Sequence, residues 1–294
     1  MPRDFKGKKI QKRTKATALE YSKQYRDKMM EDGELDTEYR LVFIDDDSVP
    51  SKEYLEEALW TDAHMLQGMI CPTNKYGTLM SYLDNVRTFS CITMCALFQQ
   101  KSKPVWIHGE ALMIKGWIEQ TVDWDQPLIS SEDLVFGHLA MASGVKMRFT
   151  YNRINITNPL SLKDCVAQRR RWAWGNIHAI HHPHLLPRSS KWLIATVWLM
   201  GLLIYAFALI GTVLVPLGVL TIPFQPVMIP LSYLSLFTWL GMWGAVGYIN
   251  GGRAKDVILS ILLSFPAVTL HFFAEMAGLL KGDPKTFETI RKEV

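Results

Sequence analysis

Apolar and polar segments alternate over the first part of the chain, and their spacing predicts alternating helices and strands. Residues 11–29 have helical spacing, and Ser51 can cap a further helix. The segment 41–44 is short and entirely apolar, as expected of a buried strand, and "GMICPTNKYG" predicts a strand and a turn. Residues 78–99 carry few charges and predict one long amphipathic helix lying at a membrane surface.

The same alternation continues towards the middle of the chain. "VWIHGEALMI" predicts a strand, a turn and a strand, and "VKMRFTY" predicts another strand. A helix is predicted to start near Glu132 and to stop at Gly144. Ser161, followed three residues later by Asp164, resembles a capping box and predicts a helix start. The order of these elements predicts an α/β domain.

Three hydrophobic stretches follow, at about 194–216, 227–249 and 257–280. The segment from Trp192 to Gly252 contains no Asp, Glu, Lys or Arg, and its two stretches are each long enough to span a bilayer. The third contains Pro266, His271 and Glu275 and fits either a span or a re-entrant segment. Three full crossings would place the basic tail opposite the loop "GGRAKD", against the positive-inside tendency, so the number of crossings stays open.

The charge and the cysteine content of the chain restrict the classes of partner that we expect. The first 28 residues hold ten Lys or Arg and three acidic residues, which fits a phosphate-bearing small molecule or an anionic membrane surface. No zinc finger, recognition helix or RNA-binding aromatic motif is recognisable, so we expect no nucleic-acid partner. The cysteines are predicted to be reduced and packed as small apolar side chains, Cys91 and Cys95 included; they are Cys71, Cys91, Cys95 and Cys165.

The apolar strand 41–44 runs directly into Asp45, Asp46 and Asp47. If the extended conformation continues, Asp45 and Asp47 point to the same side and Asp46 points away. Two carboxylates at a strand end can hold Mg²⁺ or Mn²⁺ and leave coordination positions for phosphate oxygens. The alternative is an acidic, solvated turn that caps the next helix.

Two more polar motifs also have two interpretations. Glu132 and Asp133 open a helix, where the helix dipole favours carboxylates but where a general base is equally well placed. Gln168, Arg171 and Trp172 share one helical face just before the hydrophobic region, as either a catalytic surface or a basic belt on anionic lipid. The histidines that follow are predicted to be interfacial, with a metal site as the alternative; they are His178, His181, His182 and His184.

Taken in order, the three motifs resemble those of family 2 glycosyltransferases, particularly the membrane-embedded enzymes related to cellulose, chitin and hyaluronan synthases. The resemblance covers about residues 1–280 and rests on Asp45-Asp46-Asp47, Ser131-Glu132-Asp133 and Gln168-Arg-Arg-Arg-Trp172. "PRDFKGKKIQKRTKATALEY", "HGEALMIK" and "QRRRWAWGN" are most similar to egghead-type β-mannosyltransferases, although the three aspartates depart from that subtype.

The resemblance implies a GT-A-type (Rossmann-like) domain that transfers a sugar with inversion from a UDP- or GDP-sugar to a lipid-linked or saccharide acceptor. Asp45 and Asp47 would hold Mg²⁺ or Mn²⁺ and the donor diphosphate, with Lys15 nearby, and Asp133, beside Glu132, would be the general base. The acceptor and pyrophosphate would contact the remaining predicted site residues: His108, Gly109, Gln168, Arg171 and Trp172.

The predicted organisation is a catalytic domain at 1–160, an interfacial helix at 161–191, transmembrane helices at 192–280 and a basic tail at 281–294. We expect a multi-pass membrane protein with its catalytic domain on the cytoplasmic side and in contact with membrane lipid. The family's fold begins about two strand–helix units before "KATAL", so the domain is expected to lack its N-terminal portion. The alternatives are a truncated, inactive membrane subunit and a small transporter that uses His271 and Glu275.

Overall fold

The fold is that of a computed structural model, which describes residues 4–5, 8–9, 15–36, 38–73, 77–96, 105–124, 130–209 and 225–283. The strands, in chain order, are β1 (Asp4–Phe5), β2 (Lys8–Lys9), β3 (Arg40–Phe43), β4 (Ser48–Pro50), β5 (Met65–Pro72), β6 (Leu112–Lys115) and β7 (Met147–Ile156). The helices are α1 (Lys15–Glu31), α2 (Lys52–Trp60), α3 (Leu79–Leu83), α4 (Val86–Ser90), α5 (Trp117–Thr121), α6 (Glu132–Ala142), α7 (Leu162–His181), α8 (Arg188–Leu209), α9 (Gln225–Gly251), α10 (Ala254–Leu262) and α11 (Ser264–Leu280). A π-helical segment, Cys91–Cys95, continues α4, and a 3₁₀ turn, Gly109–Ala111, precedes β6.

The main sheet is mixed, with the strand order β3-β6-β5-β7-β4. Strand β6 pairs antiparallel with both β3 and β5, β5 and β7 are parallel, and β4 pairs antiparallel with β7. The pairing of β5 with β7 shifts register between Gln67 and Met69. Strands β1 and β2 form a separate antiparallel pair.

The sheet must be curled, because β3 and β4 are neighbours in the chain but lie at its opposite edges. Only residues 44–47 join them, and the Ser48 N–H donates to the Asp45 carbonyl at 3.0 Å, which closes a turn. The closed turn limits the distance from Phe43 to Ser48 to about 14 Å. The edges of a flat five-stranded sheet would lie about 19 Å apart. The three aspartates therefore lie where the two edges approach each other.

Side chains alternate between the two faces of the central strands, which explains how one sheet serves two cores. Met65 of β5 and Leu112 of β6 pack with Phe136 of α6, where Trp124 stacks on Phe136 with ring centroids 3.8 Å apart. The next residues, Leu66 and Met113, face the opposite core, which α2 and the π-helical segment cover. This alternation buries both faces of β5 and β6.

A group of helices follows the sheet. Helix α7 packs against α11, and a side chain added at Gly278 would come within 2.6 Å of the Arg170 backbone. Of the helices described, no single one is both long and apolar enough to cross a bilayer, whereas α10 and α11, bent by 55° where they meet, reach that length and composition together. The first predicted span, 194–216, extends beyond the described residues, so the membrane-spanning region stays a prediction.

Most of the predicted elements are present, and three predictions are wrong. The segment predicted as a buried strand, 41–44, is instead half-buried, because β3 lies at the edge of the sheet. Ser51 caps α2 by accepting from the Tyr54 N–H, and Ser161 caps α7 in the same way from Asp164. The single helix predicted for 78–99 is instead broken between α3 and α4, and its last residues lie outside the described ones. The residues 105–108 form no strand, because Gln67 rather than a neighbouring strand hydrogen-bonds the His108 backbone.

Candidate active site

The three aspartates form the turn between β3 and β4. Asp46 is exposed, whereas Asp45 and Asp47 are half-buried. The extended conformation on which the predicted alternation depended does not continue, because the chain turns at these residues, so a shared direction of Asp45 and Asp47 stays a prediction. The two half-buried carboxylates have different neighbours. Asp45 Oδ1 accepts from Lys15 Nζ at 2.7 Å, and Asp47 Oδ2 accepts from the Thr157 hydroxyl at 2.6 Å. The turn is thereby tied to α1 on one side and to the end of β7 on the other.

Lys15 begins α1 and extends into a group of carboxylates. Its Nζ lies 2.7 Å from Asp45 and 4.0 Å from Glu132. Burial disfavours the charge of Lys15, but the attraction of Asp45, Asp133 and Glu132 outweighs it and raises the pKa of the amine. The lysine is therefore held as a cation at the centre of the acidic group.

Glu132 and Asp133 begin α6 after a strained residue. Ser131 has a φ of 65°, the left-handed region that residues other than glycine rarely adopt. Asp133 Oδ2 accepts from the Gly109 N–H at 2.6 Å, and its Oδ1 accepts from the Leu134 N–H at 2.8 Å. Both oxygens of Asp133 are thus oriented by backbone donors. Non-glycine residues in this conformation are concentrated at functional sites, where surrounding contacts hold them.

The carboxylates at the start of α6 resist ionisation. Burial, followed by the neighbouring charge of Asp133, raises the pKa of Glu132 to about 7. Burial also raises the pKa of Asp133, Glu110 adds to that rise, and Lys15 opposes it. The surrounding cations therefore do not fully compensate the negative charge of the buried carboxylates.

Helix α7 approaches this group because residue 175 is a glycine. A Cβ at Gly175 would lie 2.0 Å from Ser131 Oγ and 2.8 Å from Ser130 Oγ. The Ser130 hydroxyl donates to the Arg171 carbonyl at 3.0 Å, which joins the two segments. Burial lowers the pKa of the Arg171 guanidinium, and this effect is partly opposed by the carboxylates around it: Glu132, Glu110, Asp45 and Asp133. Arg171 therefore belongs to the same charged group as Lys15.

Trp172 and Gln168 have a different environment on α7. Two guanidinium groups lie close to the Trp172 ring, that of Arg169 at 4.4 Å and that of Arg87 at 5.1 Å from its centroid. Gln168 is buried, and its Oε1 accepts from Arg169 Nη1 at 2.7 Å. Arg87 also donates to Glu110 at 2.7 Å, which links this arrangement to the turn that follows His108.

Sequence reasoning missed several of these charged residues. Asp84 and Arg87 are the two charged residues within 78–96, which was the available signal that they have a specific role. Arg169 donates to Asp84 at 2.6 Å and to His271 Nδ1 at 2.9 Å, and His271 Nε2 lies 3.3 Å from Glu275. The ionisable pair on α11, which suggested a transport path, is thus linked to the helix that carries Arg171.

Gly109, which follows His108, lies beside Asp133, and the acceptor pocket that the resemblance implies for these two residues stays a prediction. The buried side chain of Gln67 fixes the backbone of His108 by accepting from its N–H at 3.0 Å and donating to its carbonyl at 3.3 Å. A Cβ at Gly109 would lie 3.0 Å from Lys15 Nζ and 3.1 Å from Asp133 Oδ2. Glycine at this position therefore keeps the space between the lysine and the aspartate open.

The histidines at the end of α7 and just after it do not form a metal site within the described part of the chain. His178 Nε2 instead lies 3.1 Å from Asp283, and His182 accepts from Lys191 through its carbonyl. In the same described part, the single group of three or more side chains with metal-ligating geometry is Cys91, Cys95 and His108. The two aspartates offer at most two carboxylates, a number that suits Mg²⁺ or Mn²⁺ when substrate phosphates supply the other oxygens.

Comparison with known proteins identifies the family. The comparison with curated proteins gives no match. A family model described as "Glycosyl transferase family group 2" matches residues 41–249, which is well over half of the chain and includes every motif from Asp45 to Trp172. This match does not distinguish a subtype, so the similarity to egghead-type enzymes stays a prediction. The chain belongs to glycosyltransferase family 2, and the protein is a glycosyltransferase.

Proposed function

We propose that the protein is a metal-dependent, inverting glycosyltransferase that transfers a sugar from a UDP- or GDP-sugar to a hydroxyl of a lipid-linked or saccharide acceptor. The observation that carries this proposal is the group of side chains around Asp133. Lys15, Asp45, Glu132 and Arg171 come from four separate segments, and each interacts electrostatically with the others or with Asp133. A purely structural role does not require so many charges, one buried and the others half-buried, in one place.

Asp133 is the proposed general base. Inversion requires one base on the face of the sugar opposite the leaving group, and a single carboxylate can serve. The N–H groups of Gly109 and Leu134 orient both oxygens of Asp133, which supports a fixed direction for proton uptake. Burial raises the pKa of this carboxyl, so it is a stronger base than an exposed aspartate. Gly109 leaves room for an acceptor hydroxyl beside it.

Lys15 and Arg171 are proposed to contact the donor diphosphate. Negative charge develops on the nucleoside diphosphate as the sugar leaves, and cations that are partly shielded from water, as Lys15 and Arg171 are, stabilise such charge. Asp45 and Asp47 would hold the divalent ion, which, when bound, supplies further neutralisation of the diphosphate. The pKa of Glu132 is raised because nearby cations do not fully compensate the charge of this buried carboxyl. This supports a site that accepts additional positive charge. Trp172, whose ring already has the guanidinium groups of Arg169 and Arg87 close to it, is proposed to contact the acceptor end, and His108 is proposed to shape the acceptor pocket.

The uncharged segment from Trp192 to Gly252 supports a location at a membrane. We propose residues 1–160 as the catalytic domain, 161–191 as an interfacial helix and 192–280 as the membrane region, with the catalytic domain on the cytoplasmic side. Helix α7 would then carry Arg171 and Trp172 close to the bilayer surface. That position favours an acceptor whose reactive end lies near membrane lipid.

A donor panel tests this proposal. The full-length chain, purified in detergent or reconstituted in vesicles, is incubated with individual UDP- and GDP-sugars and Mn²⁺ or Mg²⁺, and release of nucleoside diphosphate is measured. We expect release with at least one donor, loss of release with chelator, and a fall in kcat of about 10²- to 10⁴-fold in Asp133→Asn, which cannot accept the proton.

The panel includes a matched control and a decisive negative result. Asp123→Asn changes an exposed aspartate outside the group and should retain the wild-type rate. If the folded wild-type chain releases no nucleoside diphosphate with any donor, the proposal is wrong and the inactive-subunit alternative is favoured. If Asp133→Asn keeps its kcat, transfer occurs but Asp133 is not its base.

A further inference from the structure

Cys91, Cys95 and His108 form a compact group of soft metal ligands beside the candidate active site. The ligand atoms all lie within 4.8 Å of one another, and Cys95 Sγ lies 3.3 Å from His108 Nε2. Both cysteines are 1% exposed and belong to the core that covers one face of the sheet, and His108 is half-buried. The members of this group come from two segments, and Cys95 and His108 are 13 residues apart in the chain.

The distances suit a tetrahedral zinc ion. Zinc bonds of about 2.3 Å to sulfur and about 2.0–2.1 Å to nitrogen separate neighbouring ligand atoms by roughly 3.5–3.8 Å. The ligand atoms of Cys91, Cys95 and His108 lie at most 4.8 Å apart. They therefore need to move by only about 1 Å or less to reach the spacing around a zinc ion. Two thiolates and one imidazole are typical zinc ligands, whereas Mg²⁺ and Mn²⁺ prefer the carboxylate oxygens of Asp45 and Asp47.

The local structure holds these ligands in place before any metal binds. Cys91 and Cys95 occupy a π-helical segment, in which the Ala96 N–H donates to the Cys91 carbonyl, and short π segments are frequently found at functional sites. His108 is fixed from the other side, because Gln67 binds both its backbone N–H and its carbonyl. A ligand group fixed by surrounding hydrogen bonds loses little freedom when it binds an ion.

We propose that Cys91, Cys95 and His108 bind one Zn²⁺ through three protein ligands, at a site separate from the aspartate turn. Binding displaces the two thiol protons to solvent and leaves the fourth position to water. Gly109 follows His108 directly and donates its N–H to Asp133 at 2.6 Å. The zinc therefore holds the loop that orients the proposed base, and it is a positioning element rather than part of the transfer reaction.

The test measures zinc itself, so its result does not depend on the proposed transfer reaction. The full-length chain, purified in detergent without chelator, is equilibrated with Zn²⁺ and desalted, and bound zinc is measured by elemental analysis. We expect about one zinc per chain in the wild type, as for a site with three protein ligands. Cobalt replacing the zinc should show thiolate-to-metal charge-transfer absorption.

Variants distinguish zinc bound at this site from zinc bound by cysteine thiols elsewhere in the chain. Cys95→Ser removes a ligand and should lower the zinc content to background. Cys165→Ser is the matched control, since it removes a buried cysteine outside the group and should leave the zinc content unchanged. His108→Cys replaces one ligand with another and should retain zinc, whereas His108→Phe should lose it. Circular dichroism and size-exclusion chromatography identify variants that have failed to fold.

Several results would overturn the proposal. A folded wild-type chain that binds no zinc contradicts it, as does a folded Cys95→Ser variant that keeps its zinc. Equal loss of zinc in Cys165→Ser shows that the binding is not specific to this group. A Cys91–Cys95 disulfide found by mass spectrometry in the wild-type chain, together with an absence of zinc, assigns the pair to redox chemistry instead. A wild-type chain that binds zinc but transfers no sugar argues against the proposed function and supports the zinc site.

Discussion

At the scale of single residues, the turn between β3 and β4 distinguishes aspartates that a sequence motif treats alike. Asp45 and Asp47 are half-buried and Asp46 is exposed. We expect Asp45→Asn and Asp47→Asn to abolish transfer, because each removes a carboxylate from the proposed metal and diphosphate site. Asp46→Asn, the matched control, should reduce the rate much less. The rates are compared over a titration with Mn²⁺.

The metal titration makes this comparison decisive. If Asp45 or Asp47 binds the ion, its amide variant should need a higher Mn²⁺ concentration for half-maximal rate wherever a residual rate remains. Equal losses in all three variants would show that the geometry of this turn does not distinguish them. A normal rate in both Asp45→Asn and Asp47→Asn would remove the aspartate turn from the mechanism.

The raised pKa of Glu132 predicts how the stability of the folded chain changes with pH. Its folded-state pKa is about 7, above the ordinary value of 4.5, so the folded chain binds this proton more tightly than the unfolded chain. Its ionisation therefore costs no stability below pH 4.5, costs progressively more up to about pH 7, and reaches a constant cost above that. The full cost is up to about 3 kcal/mol, and Glu132→Gln removes it.

Thermal unfolding at pH 5 and pH 8 tests this prediction. Glu132→Gln should gain stability relative to the wild type on going from pH 5 to pH 8, because the amide does not ionise. Glu56→Gln changes an exposed carboxylate on α2 and serves as the matched control. A difference between Glu132→Gln and the wild type that is the same at both pH values would show that Glu132 is not held in this environment.

At the scale of secondary-structure elements, the approach of α7 to the start of α6 depends on a glycine. A methyl group at Gly175 would lie 2.0 Å from Ser131 Oγ and 2.9 Å from Ser131 Cβ. Ser131 is already held at a φ of 65°, so it has little freedom to move aside. We expect Gly175→Ala to cost about 1–3 kcal/mol and to lower kcat, since Arg171 moves with α7.

The control for this prediction is another glycine within a helix. A methyl group at Gly201 in α8 would meet nothing within 4 Å, so Gly201→Ala should be neutral or should stabilise by up to about 1 kcal/mol. Denaturation midpoints and transfer rates are measured for both variants in the same detergent. A Gly175→Ala variant as stable and active as Gly201→Ala would show that α7 does not need this close approach.

Predictions from the sequence succeeded where the determining interactions are local. The caps at Ser51 and Ser161 depend on hydrogen bonds over three residues, and both are present. The end of the apolar strand just before the aspartates likewise follows from adjacent residues, although β3 is a half-buried edge strand rather than the buried strand predicted. The shared face of Gln168 and Arg171 on α7 did not place them in one environment, because one side chain packs against Arg169 and the other faces the carboxylates.

At the scale of the whole molecule, the sequence could not reveal contacts between distant segments. Lys15 and Asp45 are 30 residues apart, and Arg169 and His271 are 102 residues apart. No periodicity encodes such pairs, since they depend on how the sheet curls and on how α7 and α11 pack. For the same reason the sequence suggested ordinary packing for Cys91 and Cys95, and the nearby ring of His108 became evident from the fold.

The last prediction concerns how the chain associates with membranes. Ile258 and Leu262, four residues apart on α10, are 56% and 66% exposed, which places large apolar side chains on the outside of the bent helix pair. If this surface contacts lipid, the full-length chain should stay with membranes after an alkaline wash. The double variant Ile258→Lys/Leu262→Lys should be released more readily, because lysine within a bilayer costs about 2.5–3.5 kcal/mol.

Trp60→Lys is the control for this membrane prediction. Trp60 is 85% exposed on α2, in the part of the chain that carries the sheet, so Trp60→Lys removes an exposed apolar side chain without touching the helix pair. Its distribution between membrane and wash should match that of the wild type. Release of the wild type by the wash, or equal release of the two variants, would contradict lipid contact at α10. Retention of Trp60→Lys with release of the double variant assigns the contact to the helix pair, because both changes introduce lysine at an exposed apolar position.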